Sequence, residues 1–405
     1  MKASGVIVEY NPFHNGHLYH LEQTKKVCQH DILIAVMSGY FLQRGEPALV
    51  SKWNRTKMAL LNGVDLVVEL PYAFSTQKAE YFANGAISIL EALKVHNVCF
   101  GSESGNIEGF IETADILEKN KDELNGLLQH YVRQGNSFPK SSSLAFESLH
   151  SKTKVDLSRP NNILGYHYVK AILDQQASIK PVTIKRTMAN YHDEEFNSSP
   201  IASATSIRKA IFSDNGHFED VQHFVPDHSY SQLVCYNKQY HSLHSWENYF
   251  PLLKYKLLTS TPDELRSIYE VEEGLEHRLL AYIKDASSFH HFMTKIKTKR
   301  YTWTRLQRVC VHILTNTSKQ KMLKLTHNKK ATYIRLLGMT ENGRSYLQKY
   351  KKDFSLPIIS KLSNSLDEML QLDIRAANTY AMGFAEPIRT DFLKLEYSTP
   401  PIQLK

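Results

Sequence analysis

Cysteine is scarce in this chain: four residues in 405, at positions 28, 99, 235 and 310, with no C-x-x-C pair. That spacing excludes a disulfide framework and a thiolate zinc site, and it suits a reducing compartment. Long apolar runs are also missing. None approaches the roughly 18 residues that a membrane span needs, so no membrane association is expected. No basic-then-apolar leader precedes the first β-branched run, so the expected location is cytoplasmic. Clusters of Asp and Glu that could cage a metal are absent too, and no residue is assigned as a metal ligand.

What is present is ordinary for a globular protein, with 42% hydrophobic and 22% charged residues. The length allows two or three domains. The net charge of +8 is modest, but its distribution is uneven. From His291 to Lys361 there are 17 Lys and Arg against Glu341 and Asp353, so this segment carries +15 and the remainder −7. A stretch so poor in acids cannot neutralise itself through intrahelical ion pairs. It reads as the footprint of a polyanion.

The first half of the chain alternates strand-like and helix-like patterns. Candidate strands are Ser4–Val8, Ile32–Met37, Val64–Leu70, Val98–Gly101 and Val182–Lys185. Helical patterns fill Asn15–Cys28, Ser51–Asn62, Gln77–Leu93, Ile107–Tyr131, Asn161–Gln175 and Thr205–Ser213. Such alternation predicts an α/β fold with a doubly wound parallel sheet, whose ligands bind at the carboxyl ends of the strands. Gln134–Pro160, rich in Ser, Lys and Pro, reads as a mobile loop, either a lid or a linker. Beyond Ser213 helical patterns dominate, for instance in Leu253–Leu258, Asp263–Glu272 and Tyr301–Leu314. We therefore expect a catalytic domain over 1–214 and a basic, mainly helical domain over 215–405.

Polar clusters fall at the predicted strand ends. After the first strand come Glu9-Tyr10-Asn11-Pro12-Phe13-His14-Asn15-Gly16-His17. Asn11-Pro12 breaks the strand, Gly16 allows close approach of a ligand, and a helix then points free N–H groups at an anion. His14 and His17 add two donors for phosphate oxygens. The plain alternative is a pair of surface histidines at a helix start.

Ser38–Pro47, after the second strand, presents Gln43 and Arg44 between glycines. Lys52 and Arg55, beside Trp53 on the next helix, suit a phosphorylated ligand or a solvated helix face. Gly101–Gly105 could seat a nucleoside, although this is a weak signal. Asn161-Asn162 are either caps or ligand contacts. Arg186 lies past the last strand. Ser203-Ala204-Thr205-Ser206-Ile207-Arg208 pairs hydroxyls with an arginine at a helix start.

Taken in order, these pieces resemble the HxGH nucleotidyltransferase superfamily, with a Rossmann-like sheet, HxGH after strand one and I-S-S-T-x-I-R late in the domain. Ala204 stands where the second serine of that motif is usual. Val8–His17, Gln43–Val50 and Pro160–Gly165 are most similar to the bacterial tRNA(Met) cytidine acetate ligases within it. The resemblance implies a ligase that forms acetyl-adenylate from acetate and ATP, with pyrophosphate released. The wobble cytidine of elongator tRNA(Met) would then become N4-acetylcytidine.

It implies ATP contacts at Ile7, Val8, Glu9, Tyr10, Asn11, Pro12, Phe13, His14, Asn15, Gly16, His17, Leu18, Tyr19 and His20, and at Gly101, Asn162 and Arg186. Ser203, Thr205 and Arg208 join them, with His14 and His17 as catalytic residues. Mg²⁺ is expected with the triphosphate. On the basic segment, Lys295, Lys297, Lys299, Arg300, Arg305 and Arg308 surround Tyr301 and Trp303 and are the expected tRNA contacts. No protein partner is expected. Two alternatives stay open: a nucleotidyltransferase that moves AMP or CMP to a small phosphorylated substrate, and a tRNA-binding protein with a vestigial nucleotide site.

Overall fold

The β-branched runs of the first half form strands, and the amphipathic segments between them form helices. In chain order these are β1 (Ala3–Val8), α1 (Asn15–Cys28), β2 (Ile32–Ser38), α2 (Lys52–Leu61), β3 (Leu66–Leu70), the short α3 (Tyr72–Ser75), α4 (Ala79–Ala92) and β4 (Asn97–Ser102). Next come α5 (Ile107–Lys119), α6 (Lys121–Arg133), α7 (Phe138–Ser148), α8 (Pro160–Asp174), β5 (Lys180–Lys185) and α9 (Ala204–Ile211). Helices α10 (Asp227–Tyr240), α11 (Trp246–Leu258), α12 (Pro262–Ser267), α13 (Leu275–Ile283), α14 (Phe289–Ile296), α15 (Trp303–Leu314) and α16 (Lys319–Thr326) follow. The chain then adds β6 (Ile334–Met339), α17 (Glu341–Tyr350), β7 (Ile358–Ile359), α18 (Glu368–Ala381), α19 (Ile388–Ser398) and β8 (Ile402–Gln403). This computed structural model describes residues 1–149, 154–186, 201–213, 216–362 and 367–404.

The strands form one sheet in the order β5-β4-β1-β2-β3-β6-β7, with β8 also on β6. From β5 through β3 every pairing is parallel. The chain winds outward from β1 to β3 and then returns to β4 on the other side of β1. The strand order thus reverses at β1, and doubly wound sheets hold their ligands beyond the carboxyl ends of the strands at such a reversal, here β1 and β4. The predicted α/β fold is the observed one.

The second half is mainly helical, as expected, and also contributes strands: β6 pairs antiparallel with β3 and brings β7 and β8 into the same sheet. The reason is physical: β3 is buried along its whole length, and its outer edge needs a hydrogen-bonding partner. One continuous core runs from Ala3 to Phe392 and joins both halves.

Two local expectations are also corrected. The helix expected over Ile107–Tyr131 is broken at Asn120, which ends α5 and starts α6. The expected loop 134–160 contains α7, a helix that buries Ser141 and Ala145. Residues 150–153 of that loop lie outside the described residues, as do 187–200, which follow Arg186, and 214–215 at the expected domain boundary.

Candidate active site

The turn after β1 is built from its own side chains. Tyr10 takes a left-handed conformation (φ 52°), and the Asn11–Pro12 peptide is cis. Phe13 and His17 pack on the Tyr10 ring at 4.6 and 4.9 Å between centroids. His14 then caps α1. Its Nδ1 accepts from Gly16 N at 3.0 Å, and His17 Nδ1 accepts from His14 N at 3.3 Å. This is a capping box with imidazoles in place of the usual hydroxyl and carboxylate. A ring nitrogen that accepts cannot carry a proton, so the arrangement assigns both histidines the tautomer with hydrogen on Nε2.

Electrostatics agree with neutral rings. Burial, then the charges of Arg186 and Arg208, push His14 down to about 3. Burial also holds His17 well below the usual histidine range, helped by His14, Arg186 and His20. Burial and Arg186 push His20 down to about 4, and its Nε2 is buried with no partner among the described residues. The site therefore offers neutral imidazole N–H donors beside two guanidiniums. Such an arrangement stabilises charge that grows on an oxyanion without moving a proton.

Other motifs reach the same sheet end. Arg208 on α9 donates to the Asn11 carbonyl at 2.8 Å and to the Glu46 carboxylate at 2.7 Å. Ser203 caps α9 by accepting from Ser206 N, and Thr205 is exposed. Arg186 follows β5 and donates its backbone N–H to the Ser102 carbonyl at 2.9 Å. A Cβ on Gly101 would lie 3.3 Å from Arg186 Cγ, so the glycine leaves room for the arginine stem.

Asn162 is buried. Its amide oxygen accepts from Ser104 N at 3.0 Å, and its amide nitrogen donates to Asp156 O at 2.9 Å. It ties the loop after β4 to the start of α8 but does not cap that helix, whose N-cap is Arg159 with no side-chain cap hydrogen bond. Glu103 completes this tie by accepting from the backbone nitrogens of Asn161 and Asn162. On α1, Leu18, Tyr19 and His20 are half-buried, and Asn15 donates to His223 O. Ile7 and Val8 lie within β1.

The loop after β2 is less as expected. Gln43 N donates to the Glu9 carboxylate at 2.7 Å, which brings this loop against the first turn. Burial raises the Glu9 pKa, opposed by that hydrogen bond and by Arg44. Lys52 and Arg55, however, are not ligand-facing cations. Lys52 is buried between Glu69 and Glu396 at 2.6 and 2.5 Å. Arg55 is buried and donates to the carbonyls of Glu9, Ser38, Gly39 and Val50. It caps the ends of β1 and β2, so it shapes the site from behind.

The sequence matches the family described as HIGH Nucleotidyl Transferase over residues 1–392. The chain belongs to this family. It is 52% identical over 403 residues to the tRNA(Met) cytidine acetate ligase of Geobacillus sp. (strain WCH70), covering 99% of this chain and 100% of that one. With the enzyme of the same name from Bacillus cereus (strain ATCC 10987 / NRS 248) it shares 54% identity over 384 residues, 95% of this chain and 98% of that one. Crystal structures of Thermotoga maritima TmcAL superpose over the full length of both chains at 34% identity. The TM-score is 0.92 for the apo form I and 0.89 for form II bound with alpha-thio ATP.

Within this nucleotidyl transferase the basic segment needs correction. Arg308 is buried in a two-pronged ion pair with Glu270, both contacts 3.0 Å, and cannot reach an RNA phosphate. Arg305 pairs with Glu272 at 3.1 Å and Arg300 with Glu273 at 2.6 Å. Lys324, Lys329 and Arg335 likewise meet Glu368, Glu80 and Glu396. The acids that the segment lacks come from elsewhere in the chain. Tyr301 is buried and Trp303 half-buried, which favours a packing role. Lys295, Lys297 and Lys299 are exposed, as is Arg300.

Sequence reasoning missed Glu46 and Glu103. Both are single carboxylates beside glycines or serines, and only their partners, 162 and 58 residues away, give them meaning. Among the described residues no helix is long and apolar enough to cross a membrane.

Proposed function

We propose that this protein acetylates the wobble cytidine of elongator tRNA(Met) to N4-acetylcytidine in the cytoplasm, at the expense of ATP. The observation that carries the reading is the pair of histidines, each accepting a backbone N–H on Nδ1, at the switch point of a chain related over its full length to ligases of that name. In the first step an acetate oxygen attacks the α-phosphorus, forming acetyl-adenylate and releasing pyrophosphate. His14 and His17 donate to the phosphate oxygens on which charge builds, and Arg186 and Arg208 offset the charge of triphosphate and acetate. In the second step the cytidine N4 amine attacks the acetyl carbon, AMP leaves and N4 loses a proton.

Positioning and fixed donors are sufficient for such chemistry, with no protein nucleophile. The residues from Ile7 to His20 with Gly101 line the nucleotide, and Asn162 holds the Gly101 loop. Among the described residues no group of three or more His, Cys, Asp or Glu could hold a metal ion. Mg²⁺, where it accompanies the triphosphate, would supply charge neutralisation there. The exposed Lys295, Lys297, Lys299 and Arg300 form the proposed RNA-facing surface.

The test is nucleoside mass spectrometry of a tRNA pool incubated with protein, ATP and labelled acetate. The expected product is labelled N4-acetylcytidine in elongator tRNA(Met) alone. Pyrophosphate release that ignores acetate, with unmodified tRNA, would instead favour AMP transfer to a small phosphorylated substrate.

A further inference from the structure

Glu46 is not the only group that holds Arg208. Arg208 already has a backbone anchor in the Asn11 carbonyl, at 2.8 Å. Its second terminal nitrogen is nonetheless occupied by Glu46 at 2.7 Å, and the two side chains are 15% and 28% exposed. The pair therefore sits at the edge of the site rather than in the core.

Glu46 stands close to the turn after β1, since it meets the arginine that holds Asn11 and its loop donates from Gln43 N to Glu9. Its charge raises the Glu9 pKa, alongside burial, and the Arg208 that it contacts helps to keep His14 neutral. The backbone beneath it is held rigidly. Leu42 N donates to Glu46 O at 2.9 Å, and the buried Trp246 indole donates to Gly45 O at 2.8 Å. Gly45 has φ +76°, and a Cβ there would collide with the backbone of Gln307 and Arg308. Glu46 is thus presented to Arg208 by a loop seated on α11 and α15. A negative carboxylate fixed this close to a site that must gather a triphosphate and a second anion works against binding, unless it is displaced.

We propose that Glu46 is an internal anion that occupies Arg208 until a substrate oxyanion, a nucleotide phosphate or the acetate carboxylate, takes its place. The inference rests on the reading of this site as one for ATP and acetate. It predicts that neutralising Glu46 strengthens binding of the displacing ligand, since the ligand no longer competes with a tethered carboxylate.

The experiment uses the full-length protein and its Glu46→Gln and Glu46→Asp variants, with thermal melts to confirm folding. Calorimetry gives the dissociation constant of a non-hydrolysable ATP analogue. Acetate-dependent pyrophosphate release gives the acetate KM. For Glu46→Gln a three- to tenfold tighter analogue constant marks a phosphate as the displacing group, and a similar fall in the acetate KM marks the carboxylate. Glu46→Asp, which keeps the charge on a shorter arm, should fall between wild type and Glu46→Gln in both constants. Unchanged or weaker binding of both ligands by a folded Glu46→Gln variant overturns the proposal and makes Glu46 a support for Arg208. If wild-type protein binds no analogue at all, the reading of the site fails instead.

Discussion

His14 and His17 stack ring on ring, with centroids 3.7 Å apart and planes 27° from parallel, while each accepts a backbone N–H on Nδ1. The stack leaves both Nε2–H donors for a ligand. Replacing either with Ala should lower acetyl-adenylate formation by on the order of 10²–10³, the usual cost of one preorganised donor. Pyrophosphate exchange measures this directly. A folded double variant with wild-type exchange would remove both residues from the mechanism.

Gly16 separates packing from helix propensity. A Cβ there would lie 2.9 Å from His14 Cε1 and 3.0 Å from Nδ1. Alanine in the first turn of a helix otherwise stabilises it by up to about 1 kcal/mol. Gly16→Ala should therefore keep or raise Tm while cutting adenylation at least tenfold, because the imidazole must shift. Loss of activity only in step with lost Tm would show that the His14 position is not at stake.

Buried neutral histidines set the acid limit of stability. Burial pushes His14 and His244 down to about 3, and His20, His167 and His312 down to about 4. The unfolded chain takes up these protons near pH 6.5. Between about pH 6.5 and 4 the unfolded state binds more protons, so stability is complete above that window and is lost as pH falls through it. Tm should drop steadily from pH 6.5 to 4. A flat Tm over that range would mean that these rings are protonated in the fold.

Lys52 should act on stability rather than on ATP. Its ammonium lies buried between two carboxylates, and removing it strands Glu69 and leaves Glu396 with Arg335 at 3.9 Å as its remaining cation. Lys52→Ala should cost about 3–5 kcal/mol, typical of a broken buried ion pair. Once folded, it should bind ATP as wild type does. A raised ATP KM with unchanged denaturation midpoint would return Lys52 to the ligand site.

On the basic surface, exposed and buried cations should separate. Replacing Lys295, Lys297, Lys299 and Arg300 with Ala should weaken tRNA binding. The slope of log affinity against log salt should fall by about 0.7–0.9 for each true phosphate contact. Arg308→Ala should destabilise the fold by stranding Glu270 and leave the salt slope intact. Filter binding at several salt concentrations, with melts on the same samples, distinguishes the two classes. An unchanged slope in the fourfold variant would move the RNA surface elsewhere.

The sequence by itself determined what depends on neighbours along the chain. Asn15–Cys28 was legible as a helix, and the HxGH turn as its anion-facing start, because strand, breaker, cap and glycine all fall within about a dozen residues. The parallel strands were legible from their unbroken β-branched runs.

Only the tertiary structure decided the rest. Ile334–Met339 carries an arginine and a glycine and lies in a basic stretch, so nothing local marks it as a strand. It becomes one because β3 has an open edge and Glu396 neutralises Arg335. Lys52 and Arg308 read as surface cations for the same reason. Their carboxylates stand 344 and 38 residues away, and whether a charge is buried or free depends on partners that only folding brings within reach.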